Sequence, residues 1–349
     1  MKRVLGLALY GPLAASTRYR MAQYVPGLAD HRIELDIRHL LGDAYLQRTF
    51  QGKRASVVDL LHSGWRRLLD LFDQGDYDAL MVHCELFPLM PSWVERVLLR
   101  RPYIYDFDDA FYLKYRRGRL GRLKPILGNK FDSMIQRASA VTAGNELLAT
   151  YAKQLNSNVH LLPTVVDTDR YRVATHERGK EFVVGWIGSP STSRYLDSLI
   201  EPLARLGEES PVRFVVIGGD APTIPNVQVD ALPWQEDTEI DAINKFDVGV
   251  MPLPDDEWAR GKCAFKLIQY MACGVPVIAS PVGANVDVVG PTCGLLVTTG
   301  DEWLAALRRL RDDASLGAQM GQAGRQRIVD SYSLHENLPV LAGIIARVG

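Results

Sequence analysis

Long apolar runs are missing from this 349-residue chain, and none approaches the ~18–20 residues that a membrane-spanning helix requires. Cysteine is scarce: Cys84, Cys263, Cys273 and Cys293 are the full set, and no two form a CxxC pair. That sets aside a disulfide scaffold and fits a reducing cytoplasm. Charge of one sign is not in excess, since the net charge is −1. A broad basic field for holding nucleic acid is therefore absent, and no nucleic-acid partner is expected. The turn after the first apolar segment, Gly11-Pro12-Leu13-Ala14-Ala15-Ser16, lacks the GxGxxG pattern of a nicotinamide oxidoreductase. No internal repeat or low-complexity tract is visible.

What remains is a composition of 47% hydrophobic and 23% charged residues, that of a soluble globular protein long enough for two cores. The N-terminus, MKRVLGLALYGPLAAS, imitates a signal peptide, but Tyr10-Gly11-Pro12 breaks the apolar run after Val4–Leu9. It reads as a first parallel strand leading to a turn. Short apolar runs then alternate with helix-like segments along the whole chain, the pattern of parallel sheets with crossover helices. Strands are predicted at Arg3–Leu9, Ile33–Ile37, Ala79–His83, Tyr103–Phe107, Ala140–Ala143 and His160–Leu162. A polar stretch over 166–180 reads as a linker. A second set follows at Phe182–Ile187, Arg213–Ile217, Val227–Ala231, Val248–Met251, Val275–Ala279 and Leu295–Val297. Two doubly wound units of this kind bind ligands beyond the carboxyl ends of their strands, and a cleft is expected between them.

The densest signal is Gly261 to Gly283, GKCAFKLIQYMACGVPVIASPVG. It predicts an amphipathic helix that stops at Gly274 and a buried strand over Val275–Ser280. Lys262, Lys266 and Gln269 fall at i, i+4 and i+7 on one face, while Phe265, Ile268 and Ala272 share another. Two ammonium groups near a helix start, where free N–H groups point outward, make a site for a diphosphate. The plainer reading is two lysines facing water. With Met271-Ala272-Cys273-Gly274-Val275-Pro276-Val277-Ile278 in register, the stretch resembles the signature of family 4 glycosyltransferases. Members carry a glutamate, seven residues, a second glutamate and then this run. Here those two positions hold Gly261 and Gln269.

The resemblance implies an α/β architecture, the GT-B fold, with two Rossmann-like domains facing a central cleft. Residues 1–165 would bind the acceptor, 181–330 the nucleotide-sugar donor, and the final helix, 333–348, would pack back on the first domain. The loop Gly185-Trp186-Ile187-Gly188-Ser189-Pro190-Ser191-Thr192-Ser193-Arg194 follows a strand and offers close backbone approach, hydroxyls and a cation. By resemblance, Gly188, Ser189 and Arg194 meet the donor diphosphate together with Lys262 and Lys266, and Gln269 meets the ribose. An amide can make that ribose contact, though more weakly than a carboxylate. Glycine at 261 cannot replace a carboxylate, so Glu257, with Asp255 and Asp256 in the same loop, is the candidate to reach the sugar.

Asp106-Phe107-Asp108-Asp109 resembles the family's Asp-x-His-Asp stretch, with Asp108 in place of the histidine. Asp108, Asp109 and Lys266 are thus the candidate catalytic residues. Ser16, Arg18, Asp106 and Glu257 are candidate acceptor or sugar contacts. Three carboxylates so close predict one raised pKa unless a cation lies nearby. The Asp-x-Asp pattern also suits a metal ion, but the GT-B resemblance implies no metal and no cofactor beyond the donor. His83 and Glu85 end a strand and face the expected cleft, with a structural histidine as the plainer reading.

Segment 111–130 carries seven basic and no acidic residues, interleaved with aromatic and aliphatic ones. It reads either as a contact with anionic membrane or as a solvated basic face. The function implied is transfer of a sugar, with retention, from a nucleotide-diphosphate sugar to a saccharide or lipid-linked hydroxyl acceptor, in surface polysaccharide or glycolipid assembly. The expected location is the cytoplasm, with membrane association left open. A non-catalytic nucleotide-sugar-binding protein and a GT-B epimerase are the alternatives, because both signature glutamates are missing.

Overall fold

The computed structural model describes residues 1–349 apart from Arg54, His176 and Glu177, and apart from the side chains of Gly118 and Arg119. It forms two compact units. The first comprises Met1–Val165, Gly261–Cys263 and Leu334–Gly349; the second comprises Val166–Arg260 and Ala264–Ser333.

The first unit holds strands β1 (Lys2–Tyr10), β2 (Ile33–Leu41), β3 (Ala79–His83), β4 (Tyr103–Phe107), β5 (Ala140–Ala143) and β6 (Val159–Leu161). They pair in parallel in the order β2-β1-β3-β4-β5-β6. Alternation along β1 sends Leu5, Leu7 and Leu9 to one core and Val4 and Ala8 to the other. A strand buried on both faces needs a continuous apolar run, which VLGLAL supplies. The helix Leu334–Arg347 covers the second of these faces through Leu341, Ile344 and Ile345.

The second unit holds β7 (Phe182–Ile187), β8 (Val212–Ile217), β9 (Gln228–Leu232), β10 (Val248–Met251), β11 (Val277–Ala279) and β12 (Gly294–Leu296). Their order is β12-β11-β10-β7-β8-β9, again all parallel. Strand order reverses between β7 and β10 here, and between β1 and β3 in the first unit. The loops after those strands flank the crevice where such sheets take ligands.

The described residues of 166–180, the stretch read as a linker, belong to the second unit. Tyr171 is buried, with its hydroxyl donating to Glu239, and Arg178 bonds Asp247 and the carbonyls of Leu310 and Arg311. Tyrosine and arginine carry little apolar periodicity, yet here they fasten the segment to the second unit.

Two features of the first unit bear on stability and on surfaces. Lys130 is buried between Glu85 and Glu95, at 3.3 and 3.0 Å. Oε2 of Glu95 makes no hydrogen bond within the protein. Burial, only partly offset by Lys130, pushes the Glu95 carboxyl up to about 7. A carboxyl raised above its unfolded value of ~4.3 favours the folded state most below that value, and the advantage fades as pH rises through about 7. Stability should therefore fall between about pH 4.5 and 7 from this group alone. Chemical denaturation at stepped pH should show that slope, and Glu95→Gln should flatten it.

The helix Val57–Phe72 is capped by Ser56, which accepts from Asp59 N at 3.3 Å. It buries Arg67 and Leu71. On its outer side Val58, Leu61, Trp65 and Phe72 are each 61–74% exposed. Their spacing of three, four and seven residues makes a continuous apolar stripe.

Candidate functional site

In the second unit, β7 delivers the Gly188 turn and the helix Phe265–Ala272 delivers Lys266 beside it. The Lys266 ammonium sits 5.2 Å from the centroid of the buried Trp186 ring, a cation–π contact that fixes its stem. A side chain at Gly188 would meet the Trp186 ring at 2.3 Å and Lys266 Cε at 3.0 Å, so only glycine lets this turn close over the lysine. Ser189 bonds Ser191 through their hydroxyls at 2.8 Å, and its carbonyl accepts from Thr192. Arg194 follows the short helix Pro190–Ser193 and is exposed, with its guanidinium over Tyr195.

Lys262 departs from expectation. The helix begins only at Phe265, because Ala264 takes a left-handed conformation, φ 53°, that ends any helix begun upstream. Lys262 therefore does not share a helical face with Lys266 and Gln269; it belongs to the first unit. Gln269 is buried and donates to Tyr171 Oη at 2.8 Å. Glu239 completes that network, accepting from Tyr171 and from the Trp234 indole at 2.7 Å. Of the three acids near 256, Asp255 pairs with Arg260 and Asp256 caps a turn through Ala259 N, while Glu257 is exposed.

In the first unit the register of β3 on β4 sets His83 opposite Asp106. Asp106 is fully buried and accepts from Arg20, from His83 Nδ1 at 2.7 Å and from Thr142 at 2.6 Å. Burial raises its pKa, but Arg20 and His83 outweigh burial and hold the carboxyl well below the usual range. This corrects one expectation: Asp106 has no surface to offer a sugar. The buried cation Arg20 meets the condition under which carboxylate crowding raises no pKa at Asp106. Asp108 and Asp109 follow β4 and stay partly exposed, at 17% and 31% of their side chains. Lys262 lies 3.9 Å from Asp109. Asn145 donates to the carbonyls of Gly261 and Lys262, and the Cys263 thiol donates to Asp108 O at 2.9 Å. Any side chain on Gly144 would strike Cys263 Sγ at 2.4 Å.

Ser16 is half-buried on the short helix Ala15–Arg20, and Arg18 donates to the carbonyls of Pro12 and Leu13, tying down the loop it was expected to charge. Glu85 is buried and bonded by Lys114, Tyr115 and Lys130. Arg116 pairs with Asp132. Three of the seven basic residues of 111–130 are thus turned to internal acids, and Arg119 lies outside the described side chains. Arg122 and Lys124 are exposed.

Residues 181–313 match the family described as Glycosyl transferases, group 1. Over 89 residues the chain is 38% identical to the MMP α-(1→4)-mannosyltransferase of Mycolicibacterium hassiacum. That match spans 23% of this chain and 22% of the relative, so it reaches about a fifth of the relative's length. The structure superposes on the Thermosynechococcus elongatus sucrose-phosphate synthase with a TM-score of 0.72 at 13% identity, over 99% of both chains. The Anabaena Alr3699/HepE complex with UDP-glucose gives 0.73 at 14% identity, over 99% of this chain and 100% of that one. The chain has the GT-B fold. As a GT-B protein it carries its group 1 match on the unit that holds Gly188 and Lys266.

Sequence reading singled out Lys266, Gly188 and the β4 acids, but it missed Trp186, Arg20, Asn145 and the Tyr171–Glu239 pair. Trp186 lay inside the glycine-rich loop already marked. Arg20 stands two residues past Arg18, one half-turn round the same short helix, and only the fold shows that it points into the core.

Proposed function

We propose that this chain is a retaining glycosyltransferase that takes a sugar from a nucleoside-diphosphate sugar to a hydroxyl acceptor. The observation that carries this reading is Lys266, anchored on Trp186 beneath the Gly188 turn, at the carboxyl end of β7. A fixed ammonium beside the hydroxyls of Ser189 and Ser191 is arranged to stabilise charge developing on a leaving diphosphate. Arg194 adds charge from its exposed position. Asp108 and Asp109 are the candidate acids toward sugar or acceptor, and Lys262 lies 3.9 Å from Asp109. The group 1 match over 181–313 supports donor chemistry, and Alr3699/HepE, solved with UDP-glucose, makes a UDP-sugar the first donor to try. Thermal melts with UDP, GDP and ADP test the reading. One nucleotide should stabilise the protein, by ~2.7 kcal/mol at ~100 times its dissociation constant. No shift with any of them would remove the donor site.

Binding without turnover is the second reading, favoured by one observation: both signature glutamates are replaced, and Gln269 is engaged with Tyr171.

The acceptor is proposed to be lipid-linked, reached through peripheral contact with an anionic membrane. The support is Arg122 and Lys124, exposed in segment 111–130 with Ile126, and the apolar stripe Val58-Leu61-Trp65-Phe72 in the same unit. Among the described residues no helix is long and apolar enough to cross a membrane. Cosedimentation should show binding to vesicles containing anionic lipid. Arg122→Ala with Lys124→Ala should weaken it by ~2 kcal/mol, about thirtyfold. Equal binding to neutral vesicles would argue against the electrostatic part.

A further inference from the structure

His83, Cys84 and Asp108 bring three different ligand atoms to one point at the ends of β3 and β4. His83 Nε2 lies 3.1 Å from Cys84 Sγ, and Asp108 Oδ1 lies 3.9 Å from each of them. Ligand atoms on a tetrahedral Zn²⁺, bonded at roughly 2.0–2.3 Å, stand roughly 3.3–3.6 Å apart. The observed triangle brackets that spacing. The geometry points to a three-ligand site for a borderline-soft divalent cation of the Zn²⁺ class, a resident ion that the GT-B resemblance does not imply.

Three independent observations support the assignment. Nδ1 of His83 donates to the Asp106 carboxylate, which Arg20 and Thr142 hold in turn. That bond fixes the tautomer, so Nε2 presents its lone pair toward the thiol, the second-layer arrangement that metal-bound histidines use. Cys84 sits at φ 62°, a left-handed conformation uncommon for a residue with a side chain. Its backbone is held there by Asp106 O and Tyr105 Oη, and its sulfur is turned toward His83 Nε2 and Asp108 Oδ1.

The third observation is access and charge. His83 and Cys84 are buried while Asp108 keeps 17% of its side chain exposed, so the cluster reaches the surface through Asp108. A thiolate, a neutral imidazole and a carboxylate together match a divalent charge. The sulfur and imidazole nitrogen select against Mg²⁺ and Ca²⁺, which prefer oxygen throughout.

The test is Co²⁺ titration of the full chain after chelator treatment. One equivalent should bind with a thiolate-to-Co²⁺ charge-transfer band and tetrahedral visible bands, both discharged by Zn²⁺. Cys84→Ser should lose the thiolate band and weaken binding more than tenfold. Asp108→Asn, at a partly exposed position, should keep the band with weaker binding, which guards against a Cys84 variant that fails to fold. Cys263→Ser should keep both, since among the described residues that thiol bonds the Asp108 carbonyl and Asn145 rather than the three ligands. Absence of stoichiometric uptake, or an unchanged spectrum in Cys84→Ser, would overturn the assignment. Neither outcome bears on nucleotide binding, which the melts with UDP, GDP and ADP test separately.

Discussion

Replacing Lys266 by alanine should remove the nucleotide-dependent rise in melting temperature and lower turnover by about 10²–10³-fold. Lys266 lies in the first turn of the helix Phe265–Ala272, and Trp186 and Gly188 hold its stem. A pre-positioned cation needs little reorganisation when a diphosphate begins to leave, so its loss falls mainly on the chemical step. Packing and charge can be separated. Lys266→Met keeps an apolar stem against Trp186, and its melting temperature without ligand should stay close to that of the parent. Its response to nucleotide should vanish as in the alanine variant. A methionine variant that still responds would mean that the ammonium is not what holds the diphosphate.

Asp106→Asn carries the largest expected loss of stability. Arg20 is fully buried and its charge is met by Asp106. Removing one member of a buried ion pair leaves the other uncompensated and costs about 3–5 kcal/mol. For a unit of this size that is a fall of roughly 10 °C in melting temperature. Arg20→Met combined with Asp106→Leu removes both charges at once and should recover part of the loss, because an apolar pair escapes the desolvation penalty. Calorimetry on the single and double variants checks the ordering. A double variant less stable than Asp106→Asn would mean that His83 and Thr142, rather than Arg20, dominate the energy of the cluster.

The interior strands Ala79–His83, Tyr103–Phe107, Ala140–Ala143 and Val248–Met251 were legible because they are buried on both faces and read as unbroken runs rich in apolar residues. Phe182–Ile187 and Val248–Met251 agree residue for residue with their predicted spans. Val275 and Pro276 were read into a strand that begins at Val277, since an apolar residue before a strand looks no different from one inside it. The stretch before Phe265 failed for a conformational reason. Helical spacing placed Lys262 with Lys266, but the left-handed Ala264 interrupts the period, and nothing in an alanine announces a positive φ. The polar networks were the hardest to read. Arg20, His83, Asp106 and Thr142 come from four elements spread over more than a hundred residues, and their meeting depends on strand order alone. Tyr171 shows the same limit: a tyrosine in a polar run gives no sign that Glu239 and Gln269 await it.

The most direct test of the central claim is a transfer assay. Whichever nucleotide stabilises the protein fixes the base. The corresponding nucleotide sugars are then incubated with a simple alcohol acceptor while the anomeric proton signals are followed by NMR. The account predicts release of nucleoside diphosphate, a glycoside of the same anomeric configuration as the donor, and loss of both in Lys266→Met. Saturable binding of donor with no diphosphate released at any acceptor concentration would contradict it and leave a binding protein.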